Sequence, residues 1–337
     1  MAGSVNTPPN KDIRWEKTTT VNVGVDFALF RHRLSGTIEY YNKYSVDLLA
    51  AINGSPTQGF GYTTLMTNNG KMVNRGVEIT LSGEIIRQKD FSWNASLLYA
   101  FNRNKVKHIS VQPSLWDSRI SMPTSYPMVG KPLYGIYAYK WAGLNENGDP
   151  QVYDAENNVT SGPARDYHAL VYCGTTVPIH NASLTNVLRY KGFEFSAMLI
   201  LDAGHKLRSS NIPSINMSNG RITSTAKGIV DRWTQPGDVT DVPRLLFSND
   251  TENFNTHRTE LYRYSDLFVY DASNIRLSNI SLAYRVPAHW CKKISLSGAR
   301  LQFNVENVAT FAFDSKANYD LGGKVKPNYV WGLYLNF

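Results

Sequence analysis

The chain has 337 residues, 42% of them hydrophobic and 18% charged, with 35 basic side chains against 27 acidic ones for a formal charge of +8. This apolar content excludes wholesale disorder, and two cysteines exclude a disulfide scaffold or a structural zinc site. No run approaches the roughly 18 apolar residues of a membrane helix, but a membrane barrel stays open, because its alternating strands average to near-neutral hydropathy.

Residues Met1 to Asn10 carry neither a basic n-region nor an apolar h-region, so they do not read as a secretory signal. The chain is then either cytoplasmic, or a mature or partial sequence.

From there a period of two takes over. Val21, Val23, Val25, Phe27 and Leu29 alternate with Thr20, Asn22, Gly24, Asp26 and Ala28, the pattern of a two-faced strand. Leu34, Gly36, Ile38 and Tyr40 alternate with Ser35, Thr37, Glu39 and Tyr41 in the second. Val77, Ile79, Leu81 and Ile85 oppose Glu78, Thr80, Ser82 and Glu84 in the third. The fourth runs from Phe91 to Asn102 through Trp93, Leu97, Tyr99 and Phe101. Further strands are predicted from about Ala182 to Tyr190, Phe193 to Leu201, Ser273 to Val286, Ala299 to Thr310 and Asn328 to Phe337. A change of phase at Ser278 predicts a bulge. No comparable stripe of helical period appears.

Short connections at Phe30–Arg33, Arg87–Asp90, Tyr190–Gly192 and Pro287–Gly298 alternate with long ones at Tyr44–Lys71, Lys107–Asn181, Asp202–Ala272 and Phe311–Pro327. Short periplasmic turns and long external loops are the habit of outer-membrane barrels, and β-sandwiches lack this asymmetry. Gly135–Trp141 could add a strand, with a partner near Gln151-Val152-Tyr153, either as a loop hairpin or as two more barrel strands. The last strand places Tyr329, Trp331, Leu333, Leu335 and Phe337 on one face, which in water would invite aggregation and in a membrane would not.

The motifs along the chain closely resemble one family. They are Trp15-Glu16-Lys17-Thr18-Thr19-Thr20 with Gly24-Val25-Asp26-Phe27, and Asn69-Gly70-Lys71-Met72-Val73-Asn74-Arg75-Gly76-Val77-Glu78. Tyr139-Lys140-Trp141-Ala142-Gly143, Asp231-Arg232-Trp233-Thr234-Gln235-Pro236-Gly237-Asp238, Ile275-Arg276-Leu277-Ser278-Asn279 and Asn304-Val305-Glu306-Asn307 follow in order. Together they resemble the C-terminal part of SusC/RagA-like TonB-dependent transporters of the Bacteroidota outer membrane. Asn274, where the family often has an aromatic residue, and Glu306, where it has glutamine, depart from the pattern.

The resemblance implies an all-β chain: an antiparallel transmembrane β-barrel segment with long extracellular loops. About nine to eleven strands are legible, against about 22 in a whole barrel with a plugged lumen. Residues 1–337 are therefore expected to be the C-terminal portion of a TonB-dependent receptor-type barrel, without the plug. The implied role is import of oligomeric nutrients, glycans or peptides, at the cell outer membrane. The implied partners are outer-membrane lipid, a SusD-like surface lipoprotein, the TonB energy-transducing complex and the barrel-assembly machinery, which would read the five apolar residues from Tyr329 to Phe337. An all-β surface adhesin is the alternative.

No enzyme chemistry is assembled by the residues. The seven histidines are scattered, phosphate and dinucleotide loops are incomplete, and no Gly-x-Ser-x-Gly elbow occurs, so neither cofactor nor metal is expected. Asn145-Glu146-Asn147-Gly148-Asp149 spaces oxygens like a calcium loop but lacks the closing glutamate and reads as a turn. Arg103-Asn104-Lys105-Val106-Lys107-His108, the densest basic cluster, reads as a solvated strand end and not as a nucleic-acid patch. Trp116, Tyr126, Trp233, Phe254, Tyr262 and Tyr264 fall in external loops, where rings either stack on a sugar or peptide or pack the loops internally. Glu39, Glu78, Glu84, Asn94, Glu194, Gln302 and Asn304 are expected to face the lumen.

Overall fold

The computed structural model describes residues 10–53, 64–111, 118–162, 166–213, 215–218, 221–245, 256–321 and 326–337. Nine strands form one antiparallel sheet in chain order. They are β1 (Lys17–Leu29), β2 (Leu34–Asn53), β3 (Thr64–Arg87), β4 (Phe91–Ile109), β5 (His180–Tyr190), β6 (Phe193–Ala203), β7 (Asn274–Arg285), β8 (Gly298–Ala312) and β9 (Asn328–Asn336). The nine predicted strands are these nine, joined by short turns at one end and long segments at the other.

The register carries each strand's alternation straight across the sheet. Val25 pairs with Ile38, Ile38 with Ile79, Ile79 with Tyr99, and Tyr99 with Ala182. Further along, Phe195 pairs with Leu282, Leu282 with Phe303, and Phe303 with Trp331. One face is thus apolar along these rungs, yet its side chains stand open: Val23 is 62% exposed and Trp331 is 78% exposed. On the other face Asp26 lies opposite Thr37, Glu39 opposite Glu78, Ser82 opposite Ser96, Glu194 opposite Ala283, and Ser281 opposite Asn304. A one-residue slip anywhere would exchange the two faces, so the pattern itself fixes the register. At Ser278 both neighbouring ladders skip a residue, passing from Leu277 to Asn279. The predicted bulge is there, and it restores phase between the two halves of β7.

Gly76 shows why one family motif needs glycine. It faces the polar side, and a Cβ there would run into the ring of Tyr41 and the carbonyl of Phe101. The Tyr41 ring lies directly over the bare backbone, a cover that only a glycine permits.

The structure corrects the sequence-based expectation in three places. Tyr44–Lys71 is not a loop throughout: β2 runs to Asn53 and β3 starts at Thr64, with the ladder shifting between Ser45 and Leu49. β4 likewise continues to Ile109. Gly135–Tyr139 does form a strand, but its partner is Leu170–Thr175, while Pro150–Tyr153 pairs with Trp141–Leu144. Both pairings lie outside the nine-stranded sheet.

Candidate functional site

The long segments at one end of the sheet fold into a cap with its own core. Tyr137, Tyr139, Val152, Ala169, Leu170 and Leu261 are its buried residues, packed by Ile120, Met128, Trp141, Tyr167, Tyr172 and Tyr264. All five residues of Gly135–Tyr139 are buried. The strand is therefore sandwiched on both faces and shows no alternation.

Polar struts hold this core. Arg208 donates from Nη2 to the Tyr137 carbonyl at 2.6 Å and from Nη1 to those of Ser265 (3.3 Å) and Arg263 (3.4 Å). Its guanidinium also lies 5.4 Å from the Tyr264 ring centre. Arg119, which is buried, is sandwiched between the rings of Tyr137 and Tyr167 and donates from Nε to the Tyr126 carbonyl at 3.3 Å. The Asp149 carboxylate takes two bonds from Arg244, at 3.1 and 3.0 Å, and one from Arg258 at 2.6 Å. Burial would raise its carboxyl pKa, but the two guanidinium groups outweigh burial and hold it below the usual range. Asn145 Oδ1 accepts the backbone N–H groups of Asn147 and Asp149, both at 2.9 Å. The side-chain oxygens of Asn145 and Asp149 are thus spent on a turn and an ion triad.

The predicted loop aromatics divide. Tyr262 is 6% exposed, with its ring 5.7 Å from that of Trp141 and edge-on to Phe268 at 4.9 Å. Burial raises its phenol well above the ordinary value. Tyr126, Trp233 and Tyr264 are half-buried, and the Trp233 ring covers Gly148, whose φ is +73°. Trp116 and Phe254 lie outside the described residues. Tyr329, Trp331, Leu333, Leu335 and Phe337 are all exposed, and the Phe303 ring beside them lies 4.2 Å from that of Trp331, tilted by 35°.

Beneath the cap, the polar face of the sheet is a hydrogen-bonded surface. Glu194 accepts from Arg189 Nε at 2.7 Å and from Arg300 Nη2 at 3.2 Å, spanning β5 to β8. Gln302 Nε2 donates to Ser281 Oγ (3.2 Å) and Asn304 Oδ1 (2.9 Å). Leu133 N, in the cap, donates to Asn104 Oδ1 at 2.8 Å, and Asn104 donates to Asn74 Oδ1 at 2.7 Å. The cap thus rests on the same face that carries Glu78 and Glu194. Such a surface can hydrate and hydrogen-bond polar groups. Among the described residues no group of three or more His, Cys, Asp or Glu side chains is placed to hold a metal ion.

One feature escaped the sequence reading. A cleft of about 750 Å³ opens where β4 outruns β5, lined by Arg75, Arg103, Lys105, Lys107, Lys131 and His180 among others. The only signal for it was the basic cluster at the end of β4. The contributions of β3 and of the cap arise from folding alone.

Residues 1–308 match the family model described as "TonB dependent receptor-like, beta-barrel". The chain is 25% identical to TonB-dependent receptor P3 of Formosa agariphila, over 96% of this chain and 33% of that protein. It is also 25% identical to TonB-dependent receptor SusC of Bacteroides thetaiotaomicron, over 88% of this chain and 29% of that protein. The chain thus spans about a third of the length of these curated relatives. Its fold matches a chain of the RagAB peptide transporter structure with a TM-score of 0.75 at 23% identity, over 99% of this chain and 37% of that one. With nine two-faced antiparallel strands and a match covering most of its length, the chain belongs to the TonB-dependent receptor-like β-barrel family of the bacterial outer membrane.

Proposed function

We propose that residues 1–337 form the C-terminal portion of a larger transporter barrel that imports oligomeric nutrients, glycans or peptides. The observation that carries this reading is the open sheet itself. Apolar rings cover one face, hydrogen-bonded polar groups the other, and β1 and β9 stand at opposite ends of the strand order. In lipid, each unpaired backbone group at those edges costs roughly several kcal/mol, so further strands must cover them. The polar face then lines a lumen, and the folded cap narrows its external mouth.

In this reading the half-buried rings of Tyr126, Trp233 and Tyr264 contact the solute, and Tyr262 holds the cap in shape. A SusD-like lipoprotein covers the mouth, the TonB complex supplies energy, and the barrel-assembly machinery reads the exposed row from Tyr329 to Phe337. The chain makes and breaks no covalent bond. Its match to the barrel family model and its likeness to a chain of the RagAB peptide transporter support a role in import, with peptides among the candidate solutes.

The test is uptake in the native host. Deleting the coding segment should abolish growth on one class of oligomer while leaving growth on its monomer intact. An epitope on the protein should also bring down a surface lipoprotein from detergent extracts. Undiminished growth on both glycan and peptide oligomers overturns the reading.

A further inference from the structure

The apolar face of β3 and β4 changes character along its length. From the short-turn end outwards, the cross-strand pairs are Leu81 with Leu97, Ile79 with Tyr99, Val77 with Phe101, Arg75 with Arg103, and Val73 with Lys105. Aliphatic residues give way to aromatic ones and then to cations, all on one face. Phe101 lies eight steps along the strand from Trp93, about 26 Å along a strand and about 20 Å across a membrane at the usual tilt of about 40°. That nearly spans the lipid-facing band, so Phe101 and Tyr99 stand at the external interface. Tyr99 Oη and His180 Nδ1 share a hydrogen bond of 2.9 Å there, as expected of polar tips at headgroup level. Arg75, Arg103 and Lys105 lie just beyond, among the headgroups.

The cations are not placed at random. Arg75 and Arg103 sit directly opposite one another across two strands, an arrangement that is unfavourable without a counter-ion. Lys105, Lys107 and Lys131 line the same cleft, and no carboxylate does so among the described residues. None of these five side chains forms an ion pair with a described residue at 4.0 Å or less. The cap completes the cleft through backbone: Val106 N donates to Lys131 O at 2.9 Å and Gly130 N to Val106 O at 2.8 Å. These two bonds occupy the edge of β4 that β5 leaves unpaired, and so fix Lys131 over the strand. Its ammonium is further placed 4.8 Å from the Tyr172 ring centre. The cleft is therefore held by the fold along the open edge of β4, with Arg75, Arg103 and Lys105 on its lipid side at headgroup height, and carries a concentrated positive charge.

We propose that this cleft binds a phosphate group of an outer-leaflet glycolipid, with Arg75, Arg103 and Lys105 as its main donors. Arginine forks suit phosphate oxygens, and the apolar surface running down to Leu81 and Leu97 suits the acyl chains below. Such a lipid would pin the cap-bearing rim of the wall at the membrane surface.

The test uses the full-length protein, purified from the host outer membrane in mild detergent, and native mass spectrometry with added lipid A. Phosphorylated lipid A should bind the wild type. The Arg75→Gln/Arg103→Gln/Lys105→Gln variant should bind it on the order of 100-fold more weakly, at roughly fivefold per cation. Dephosphorylated lipid A should bind the wild type as weakly as the phosphorylated form binds the variant. Lys191→Gln/Lys292→Gln, at the short-turn end, should leave affinity unchanged. If the triple variant loses its heat-modifiable migration, Arg103→Gln and Lys105→Gln singly carry the test, each expected to weaken binding roughly fivefold. Equal affinity of variant and wild type overturns the proposal. So does displacement of the lipid by an equal concentration of inorganic phosphate, which would make this a soluble-anion site.

Discussion

The wall and the cap use the same residue types in opposite ways. In the wall, large apolar side chains point away from the protein, and Trp331 and Leu333 stand largely bare. In the cap, rings turn inwards, and Tyr139 is fully buried. Wall strands get their order from backbone ladders and an external apolar solvent. The cap must build its own interior, and it uses arginine struts to satisfy the polar groups trapped there. One polypeptide thus has a lipid-solvated half, where packing density is supplied from outside, and a water-solvated half, where it must be supplied from within.

The sharpest way to break this comparison is to cut a leucine from each half. Leu261, 1% exposed in the cap core, should cost about 2–5 kcal/mol when changed to alanine, because nothing fills the hole. Limited proteolysis should then cleave the cap while the wall keeps its heat-modifiable migration. Leu282→Ala, on the lipid face of β7, should cost distinctly less, since an acyl chain takes the vacated space. Equal costs would mean that the outer face is covered by protein.

A charge reverses the ranking within the wall. Leu282→Arg puts a cation on the apolar face, at up to about 2–4 kcal/mol in a bilayer, measurable by urea unfolding from liposomes. The same change at Ser281, on the polar face, should be nearly silent. Comparable losses at both positions would refute the assignment of faces.

Smaller effects test the struts. Arg208→Met keeps much of the length but removes the donors to the carbonyls of Tyr137, Ser265 and Arg263. Orphaning them should cost about 1–3 kcal/mol in cap stability, read by hydrogen exchange at Tyr137 to Tyr139. The Asp149 triad should show itself through pH. Its folded carboxyl lies below the ordinary value of 3.8, so its stabilisation is complete above about pH 4 and is lost as pH falls through the lowered value. Asp149→Asn should flatten that acid limb of the cap's unfolding curve. An unchanged limb would assign acid sensitivity elsewhere.

How much was legible follows the same division. A wall strand sees lipid on one side and polar surroundings on the other, so its period of two is written in the residues. Even the Ser278 bulge shows as a lost phase. The upper reaches of β2 and β3 were missed because that contrast fades above the membrane. There the ladder slips twice near Leu48, and Asp47 takes a positive φ of 56°. In the cap, Gly135–Tyr139 has protein on every side and no pattern to read. Tyr262 looked like an exposed loop ring because the partners that bury it, Trp141 and Phe268, come from different stretches of the chain. The cationic cleft combines β3, β4 and the loop at Lys131, and only its β4 part forms a cluster in the sequence.

The smallest effect leaves stability untouched and reports on the cap interior itself. Cys173 lies in the cap strand Leu170–Thr175, and burial, with the nearby charge of Asp266, pushes its thiol up to about 11 against the favourable pull of Arg208 and Lys206. Only the thiolate is alkylated. At pH 8 the thiolate fraction is then roughly 100-fold below that of a thiol titrating near 9, so alkylation slows by the same factor. In a Cys291→Ser background, iodoacetamide labelling of Cys173 should be slow at pH 8 and rise about tenfold per pH unit up to the thiol's own value. Unfolding the chain in urea should raise the rate at pH 8 by about 100-fold, because water reaching the sulfur removes the desolvation that holds its proton. A fast reaction in the intact protein would mean that the cap interior is wet. The contrast between a self-packed cap and a lipid-packed wall would then fail on the cap's side.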